Sequence, residues 1–337
     1  LEALEAILIS NLETLPTLVL FVIIGISLFF LAKGADVLVE EAVSLSLKLG
    51  IPKMVIGATV VSLGTTLPEV SVSVMAAMNG NPDLALGNAI GSIIVDTGLI
   101  LGIAAMIGNL PIDNYAIDRQ GTVQYLSVLL LAIVALPIFS STGNGNISQW
   151  MGFIFTALLV GYVFLSLKWA KGTTEQNEEL HTDSSPAVIL ILKLFAAIFV
   201  VIAASKVLIP SVEISAIRLG IPQSIIAATL VAFGTSLPEL ITAITAVRKG
   251  HGELAVGNIM GADTLNVLFV TGLSAAFTKG GLIVPVEFYK LQIPAMIAIV
   301  FTFRFFAKGK GNTISKKEGG ILLGLYGIYL ALNYLMI

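Results

Sequence analysis

Apolar residues run along this chain in blocks of roughly 20 or more, parted by short clusters of Gly, Pro and charge. That pattern predicts helices long enough to cross a bilayer. Ten candidate spans result. The first half gives Leu15 to Leu49, Lys53 to Met78, Leu84 to Ile107, Gly121 to Ile138 and Gln149 to Trp169. The second gives Ala187 to Leu219, Gln223 to Val247, Glu253 to Phe277, Phe288 to Phe306 and Glu318 to Ile337. The first and sixth are too long for an upright crossing and hold internal charges, Lys33, Asp36, Glu40 and Glu41 in one and Lys206 and Glu213 in the other. Helices of that kind are expected to tilt or to run partly along the interface.

Composition agrees with the pattern. Of 337 residues, 56% are hydrophobic and 12% charged, and the mean hydropathy is +0.98, far above that of a soluble domain. The absence of cysteine excludes disulfides and thiolate metal sites. Leu1 to Glu13 carry acids and no base, the wrong charge for a signal peptide, and read as a short extracytoplasmic lead-in.

Orientation follows from the bases, because cytoplasmic loops retain Lys and Arg. With the N-terminus outside, cytoplasmic connections collect Lys48, Lys53, Arg119, Lys168, Lys171, Arg248, Lys249, Lys308, Lys310, Lys316 and Lys317. The opposite side receives only Arg218, Lys279 and Lys290. Both termini are therefore expected outside the cytoplasm, and the polar run 171–186 is expected to be a cytoplasmic linker.

The chain also repeats itself. Gly64-Thr65-Thr66-Leu67-Pro68-Glu69 returns 170 positions later as Gly234-Thr235-Ser236-Leu237-Pro238-Glu239. The offset holds without a gap from Leu49-Gly50-Ile51-Pro52 to Gly87-Asn88 and Gly91. Five spans per half is an odd number, so the second half enters the membrane in the opposite sense. The expected fold is an all-α polytopic membrane protein: ten transmembrane helices in two inverted-topology repeats of five, 1–170 and 187–337, with broken helices lining a midplane ion site.

Each motif sets an acid inside an apolar segment. A carboxylate at a helix centre costs about 2.5 to 3.5 kcal/mol, so it persists with a partner or a purpose. Glu69 and Glu239 have no Lys or Arg within a helical turn, which leaves a bound cation or a polar group from elsewhere in the fold. Pro68 and Pro238 should open the helix in front of each acid, freeing backbone carbonyls. With the hydroxyls of Thr65, Thr66, Thr235 and Ser236 these make an all-oxygen set of the kind hard cations prefer. An ordinary proline kink is the structural alternative. A second matched pair, Asp96 and Asn266, stands 27 residues after each Glu, and Ser92 precedes Asp96 by one turn. The glycines of Gly87-Asn88-Ala89-Ile90-Gly91 and Gly257-Asn258-Ile259-Met260-Gly261 read as helix-packing positions. Asp263 aligns with Ile93, so duplication does not support it as a ligand; it either substitutes for the hydroxyl absent at Ala262 or caps an interruption.

These blocks resemble the cation/Ca²⁺ exchanger superfamily, specifically the prokaryotic sodium/calcium exchangers, over essentially the whole chain. The resemblance implies that Glu69 and Glu239 share Ca²⁺ with oxygen from Thr65 and Thr235. It implies flanking sodium sites using Thr66, Ser236 and Ser92 and the backbone carbonyls of Ser62 and Ala232, in a prokaryotic-type plasma membrane. Asp96 and Asn266 fill the central acid and amide positions. Ala262 departs from the family's Ser, and the acid at Asp96 invites comparison with potassium-dependent exchangers.

Charge favours exchange over conduction. Three ionised acids occluded without a cation would be costly, so the empty site resists crossing, and Ca²⁺, Na⁺ or protons competing for the same oxygens become coupled. The expected function is a Na⁺/Ca²⁺ antiporter that exports Ca²⁺, with no organic cofactor, nucleic acid or obligatory protein partner. An H⁺/Ca²⁺ exchanger, a K⁺-dependent exchanger and a cation channel are the alternatives. A membrane hydrolase is disfavoured: His181 and His251 fall in loops and no His-Glu-x-x-His occurs.

Overall fold

Helices carry almost all of the backbone in the computed structural model, which describes residues 2–137, 145–170, 186–220, 234–309 and 311–336. The first half holds α1 (Glu2–Thr14), α2 (Thr17–Leu49), α3 (Lys53–Thr65), α4 (Leu67–Met78), α5 (Pro82–Ile107), α6 (114–134) and α7 (Gln149–Ala170). The second holds α8 (Ala187–Arg218), α9 (Leu237–Arg248), α10 (Gly252–Phe277), α11 (Phe288–Ala307) and α12 (Lys316–Met336). Among the described residues six helices are long and apolar enough to cross a membrane, α2, α5, α7, α8, α10 and α11, and α3 with α4 makes a seventh span bent by 45°. Helix α6 begins well before Gly121, its expected start, and carries Asp118 and Arg119 in its first turns. The linker 171–185 and the first part of the expected seventh span lie outside the described residues. The lead-in before Glu13 is itself a helix, α1, packed on α8.

The two long helices α2 and α8 pack along each other over the most extensive helix pair in the fold. The acids inside α2 are met by ion pairs. Lys249, just past α9, reaches Glu40 at 2.6 Å and Asp36 at 3.4 Å, and Lys193 of α8 reaches Glu41 at 3.0 Å. Partial burial pulls the Lys249 ammonium pKa down, but Glu40 and Asp36 outweigh it and leave the pKa raised. A 33-residue helix is about 50 Å long, so its charged end can project past a hydrocarbon core of about 30 Å.

Structure repeats where sequence repeats. Gly50 and Gly220 end α2 and α8 with φ of 62° and 78°, and Gly80 and Gly250 end α4 and α9 with φ of 83° and 79°. Left-handed backbone of this kind is what glycine admits at a helix stop. Wide π-turns interrupt α5 at Val95–Ile100, α10 at Asn266–Thr271 and α6 at Ile117–Gly121, and one opens α11 at Phe288–Gln292. Two short antiparallel ladders tie the halves together. Strand β1 (Leu110–Pro111) pairs with β4 (Thr313–Ile314), and β2 (Gly145–Ile147) pairs with β3 (Leu282–Val284).

Helix α10 is the centre of the fold, with every residue from Leu254 to Leu265 buried. Its glycines make that possible. A Cβ on Gly257 would stand 2.0 Å from the Met54 carbonyl oxygen, and one on Gly261 would stand 2.6 Å from that of Ala58. The packing role expected for these glycines is therefore realised against α3. Tyr162 of α7 donates to the Ala58 carbonyl at 2.9 Å, holding the π-turn Gly57–Val61 from the other side.

Candidate functional site

The helix break falls at Thr66, between Thr65, which ends α3, and Leu67, which starts α4. Pro68 sits in the first turn of α4, where its missing N–H forfeits no helical bond. Glu69 lies in that same turn. Pro238 and Glu239 hold the equivalent places in α9. Each acid is thereby held at a helix N-terminus, where unpaired N–H groups and the helix dipole favour negative charge. Breaking the helix both exposes polar backbone and positions the carboxylate.

The acids of the two halves meet. Glu69 lies within electrostatic reach of Glu239 and Asp96, and Asp96 within reach of Glu239. Glu69, Glu239 and Asp96 are each only 1% exposed. Their hydroxyl neighbours come crosswise: Thr235 stands beside Glu69, Thr65 and Thr66 beside Glu239, and Ser236 beside Asp96. The sequence pooled the hydroxyls of both motifs into one set, and the fold pairs each acid with hydroxyls of the opposite motif.

Two hydrogen bonds fix that exchange. Thr235 donates to Asn88 Oδ1 at 3.1 Å, and Thr65 lies 3.4 Å from Asn258 Oδ1. Asn88 in turn donates to Ser73 at 2.9 Å and toward the Glu69 carbonyl at 3.5 Å. Sequence reasoning set Asn88 and Asn258 aside as parts of a glycine block. Their equal offset was the signal that could have found them.

Most of the site's oxygen is uncommitted. Both carboxylate oxygens of Glu69 and of Glu239, Oδ1 of Asp96, the hydroxyls of Thr66 and Ser236 and both amide atoms of Asn266 have no hydrogen-bond partner among the described residues. A buried polar atom left so is costly unless something binds it. Among the described residues no three of His, Cys, Asp and Glu converge closely enough to hold a metal by themselves. A bound cation would therefore draw on hydroxyl and amide oxygens as well as carboxylates, a mixed hard-donor set suited to Na⁺ or Ca²⁺.

Of the other expected ligands, Ser92 and Asn266 are buried, Ser92 one turn before Asp96 and Asn266 opening the π-turn of α10. Ser62 is buried, and its carbonyl already accepts the Thr66 N–H at 2.9 Å. Ala232 lies outside the described residues. A cavity of about 420 Å³ reaches the cluster, bounded by Leu8 and Ile9 of α1, by Lys206, Ile209, Pro210 and Glu213 of α8, and by Pro68, Thr235 and Pro238 at the motifs.

Comparison with known proteins agrees with this geometry. The sequence profile described as sodium/calcium exchanger protein matches residues 19–168 and 189–335. The inner membrane protein YrbG of Escherichia coli (strain K12) is 33% identical over 92% of this chain and 95% of its own. The sodium/calcium exchanger MaX1 of Methanosarcina acetivorans is 28% identical over 93% of this chain and 98% of its own. The solved structure of the sodium-calcium exchanger NCX_Mj soaked with 10 mM Na⁺ and zero Ca²⁺ superposes with a TM-score of 0.79 at 26% identity, covering 94% of this chain and 99% of that one. With two matched motifs converging on one buried oxygen cluster, and a family profile spanning both halves, this chain belongs to the sodium/calcium exchanger protein family.

Proposed function

We propose that this chain is a secondary active antiporter that exchanges Na⁺ for Ca²⁺ by alternating access and exports Ca²⁺. The observation that carries the proposal is the crosswise cluster, in which Glu69 and Glu239 face hydroxyls of the opposite half and none of the four carboxylate oxygens has a hydrogen-bond partner among the described residues. One Ca²⁺ or several Na⁺ would neutralise such a cluster, and because both ions need the same oxygens they would displace one another. The names of MaX1 and NCX_Mj, and the NCX_Mj crystals soaked in Na⁺ with 0.1 mM Ca²⁺, support these ions as substrates. Ca²⁺ would be held by Glu69, Glu239, Thr65 and Thr235. Flanking Na⁺ would use Thr66, Ser236, Ser92 and the carbonyls of Ser62 and Ala232, with Asp96 and Asn266 at the central position.

In this reading α2 to α7 and α8 to α12 contain five spans each, inverted relative to one another, with 171–186 as the cytoplasmic link. The paired glycine stops and π-turns support the repeat. The ladders support the sidedness, since each joins two connections that this topology puts on one face. The cavity beside α1 would then open to the side of the termini, giving an outward-facing state.

The test is ⁴⁵Ca²⁺ uptake into proteoliposomes loaded with Na⁺. Uptake that requires the outward Na⁺ gradient is the expected result. Uptake driven by a pH gradient without Na⁺ would replace Na⁺ with protons. Asp96→Asn is expected to leave Ca²⁺ uptake measurable while flattening its dependence on internal Na⁺, because one charged oxygen at the central position becomes neutral. An unchanged Na⁺ dependence in that variant would remove Asp96 from the ion site.

A further inference from the structure

Resting on the exchange function proposed for this chain, we infer that Asn88 is a positioning residue for ion binding: it takes up the Thr235 hydroxyl proton, so that Thr235 turns only lone pairs toward Glu69. A threonine hydroxyl carries one proton and two lone pairs and rotates to suit its neighbours. Thr235 lines the cavity of about 420 Å³ and stands beside Glu69. Left to itself, such a hydroxyl would donate to the carboxylate. It donates instead to Asn88 Oδ1 at 3.1 Å, and neither oxygen of Glu69 has a hydrogen-bond partner among the described residues. Hydroxyl oxygen and carboxylate thus face one another with no proton between them. Two acceptors in a buried site repel, and a cation between them removes the cost.

Asn88 is itself aimed. Its NH₂ donates to the Ser73 hydroxyl at 2.9 Å and points toward the Glu69 carbonyl at 3.5 Å, which leaves Oδ1 as the atom that faces Thr235. A flip of the amide would set NH₂ against the hydroxyl and lose both donations. Ser73 is fully buried on α4, the helix that also carries Glu69. One run of hydrogen bonds therefore joins α4 through α5 to the turn before α9, and the anchor and the acid share a helix.

The repeat does not impose this anchor. At the offset of 170, Asn88 falls opposite Asn258 and Thr235 opposite Thr65, but Ser73 falls opposite Ala243, buried and apolar. Thr65 lies 3.4 Å from Asn258 Oδ1 and 3.4 Å from the Ser62 carbonyl, and the Asn258 NH₂ has no partner among the described residues. The proton of Thr65 is divided between two long contacts, whereas that of Thr235 is committed to one. The locked hydroxyl is the one beside Glu69, where the cavity reaches the motifs. A ligand oriented in advance spares the arriving ion the cost of turning a proton away.

The experiment is a double-mutant cycle read by equilibrium binding of ⁴⁵Ca²⁺ and, separately, of ²²Na⁺ to the purified full chain. Asn88→Leu keeps nearly the shape of the side chain and removes the acceptor, so Thr235 turns its proton on Glu69. Affinity should fall about five- to tenfold. Thr235→Val, which has no hydroxyl to orient, should itself bind about tenfold more weakly, and adding Asn88→Leu to it should change affinity by less than about twofold. Ser73→Ala, a smaller disturbance that frees the amide to turn, should lose about threefold, again only where Thr235 is present; it decides the matter where Asn88→Leu does not fold. Equal losses with and without the Thr235 hydroxyl would make Asn88 a packing residue and overturn the inference. Wild-type affinity in Asn88→Leu or in Thr235→Val would overturn it too. A wild-type chain that binds ²²Na⁺ but no ⁴⁵Ca²⁺ would refute the exchange function, and the cycle read with ²²Na⁺ would still decide the role of Asn88.

Discussion

Replacing Glu69 or Glu239 with Gln is expected to lower Na⁺-driven ⁴⁵Ca²⁺ uptake by more than about 100-fold. Gln keeps the shape of the side chain and its place in the first turn of α4 or α9, so the change is confined to one charge and one oxygen. Removing one partner from a buried charged pair costs about 3 to 5 kcal/mol, and each 1.4 kcal/mol is a factor of ten in affinity. Both variants should fail alike, because each acid faces the hydroxyls of the other half: Thr235 beside Glu69, and Thr65 and Thr66 beside Glu239. Initial rates in proteoliposomes, normalised to reconstituted protein, measure the loss. Without Ca²⁺ or Na⁺, melting in detergent should be unchanged or higher in the variants, since each has one buried charge fewer. Uptake within tenfold of wild type in both would remove these carboxylates from the transport site.

The acids were legible in the sequence for a simple physical reason. A carboxylate in an apolar block is costly, and two of them at one offset are hard to explain except by a shared task. Glu69, Glu239 and Asp96 were singled out this way, with Asn266 as the repeat partner of Asp96, and the structure brings the three acids within reach of one another. What the sequence left out was which hydroxyl faces which acid across the halves. The hydroxyl that meets Glu69 is set by how α4, α5 and α9 pack, and one strand of letters carries no record of that distance. The links from Thr235 to Asn88 and from Thr65 to Asn258 span 147 and 193 positions. Asp263 stayed obscure for the opposite reason: it has no repeat partner, and its donors Thr97 and Gln124 come from two other helices. The charges of α2 looked anomalous only while the helix was treated as a membrane crossing throughout. Lys249 and Lys193 supply the countercharges from segments more than 150 positions away.

Gly257→Ala is expected to disable the protein more broadly than any ligand change, by preventing the fold from closing. A single methyl there would lie 2.0, 2.7 and 2.9 Å from the carbonyl oxygen, carbonyl carbon and Cα of Met54. All three are backbone atoms, so no side-chain rotamer relieves the clash and α3 itself must move away from α10. Overpacking that side chains can absorb costs about 1 to 3 kcal/mol; rigid backbone on both sides puts this case at or above that range. The displacement would also reach the site, because Thr65 and Thr66 end α3 while Asn258, Asp263 and Asn266 ride on α10. Gly161 of α7 is the control, for a Cβ there meets nothing within 4 Å among the described residues. Gly161→Ala should be neutral or stabilising by up to about 1 kcal/mol, the helix propensity gained. Size-exclusion profiles and melting in detergent distinguish the two, with Gly257→Ala aggregated or melting many degrees lower and Gly161→Ala at or above wild type. A Gly257→Ala variant as stable and active as wild type would mean that α3 and α10 do not meet backbone to backbone, and with that contact would go the fixed distance between Thr65 and Asn258 on which the crosswise site depends.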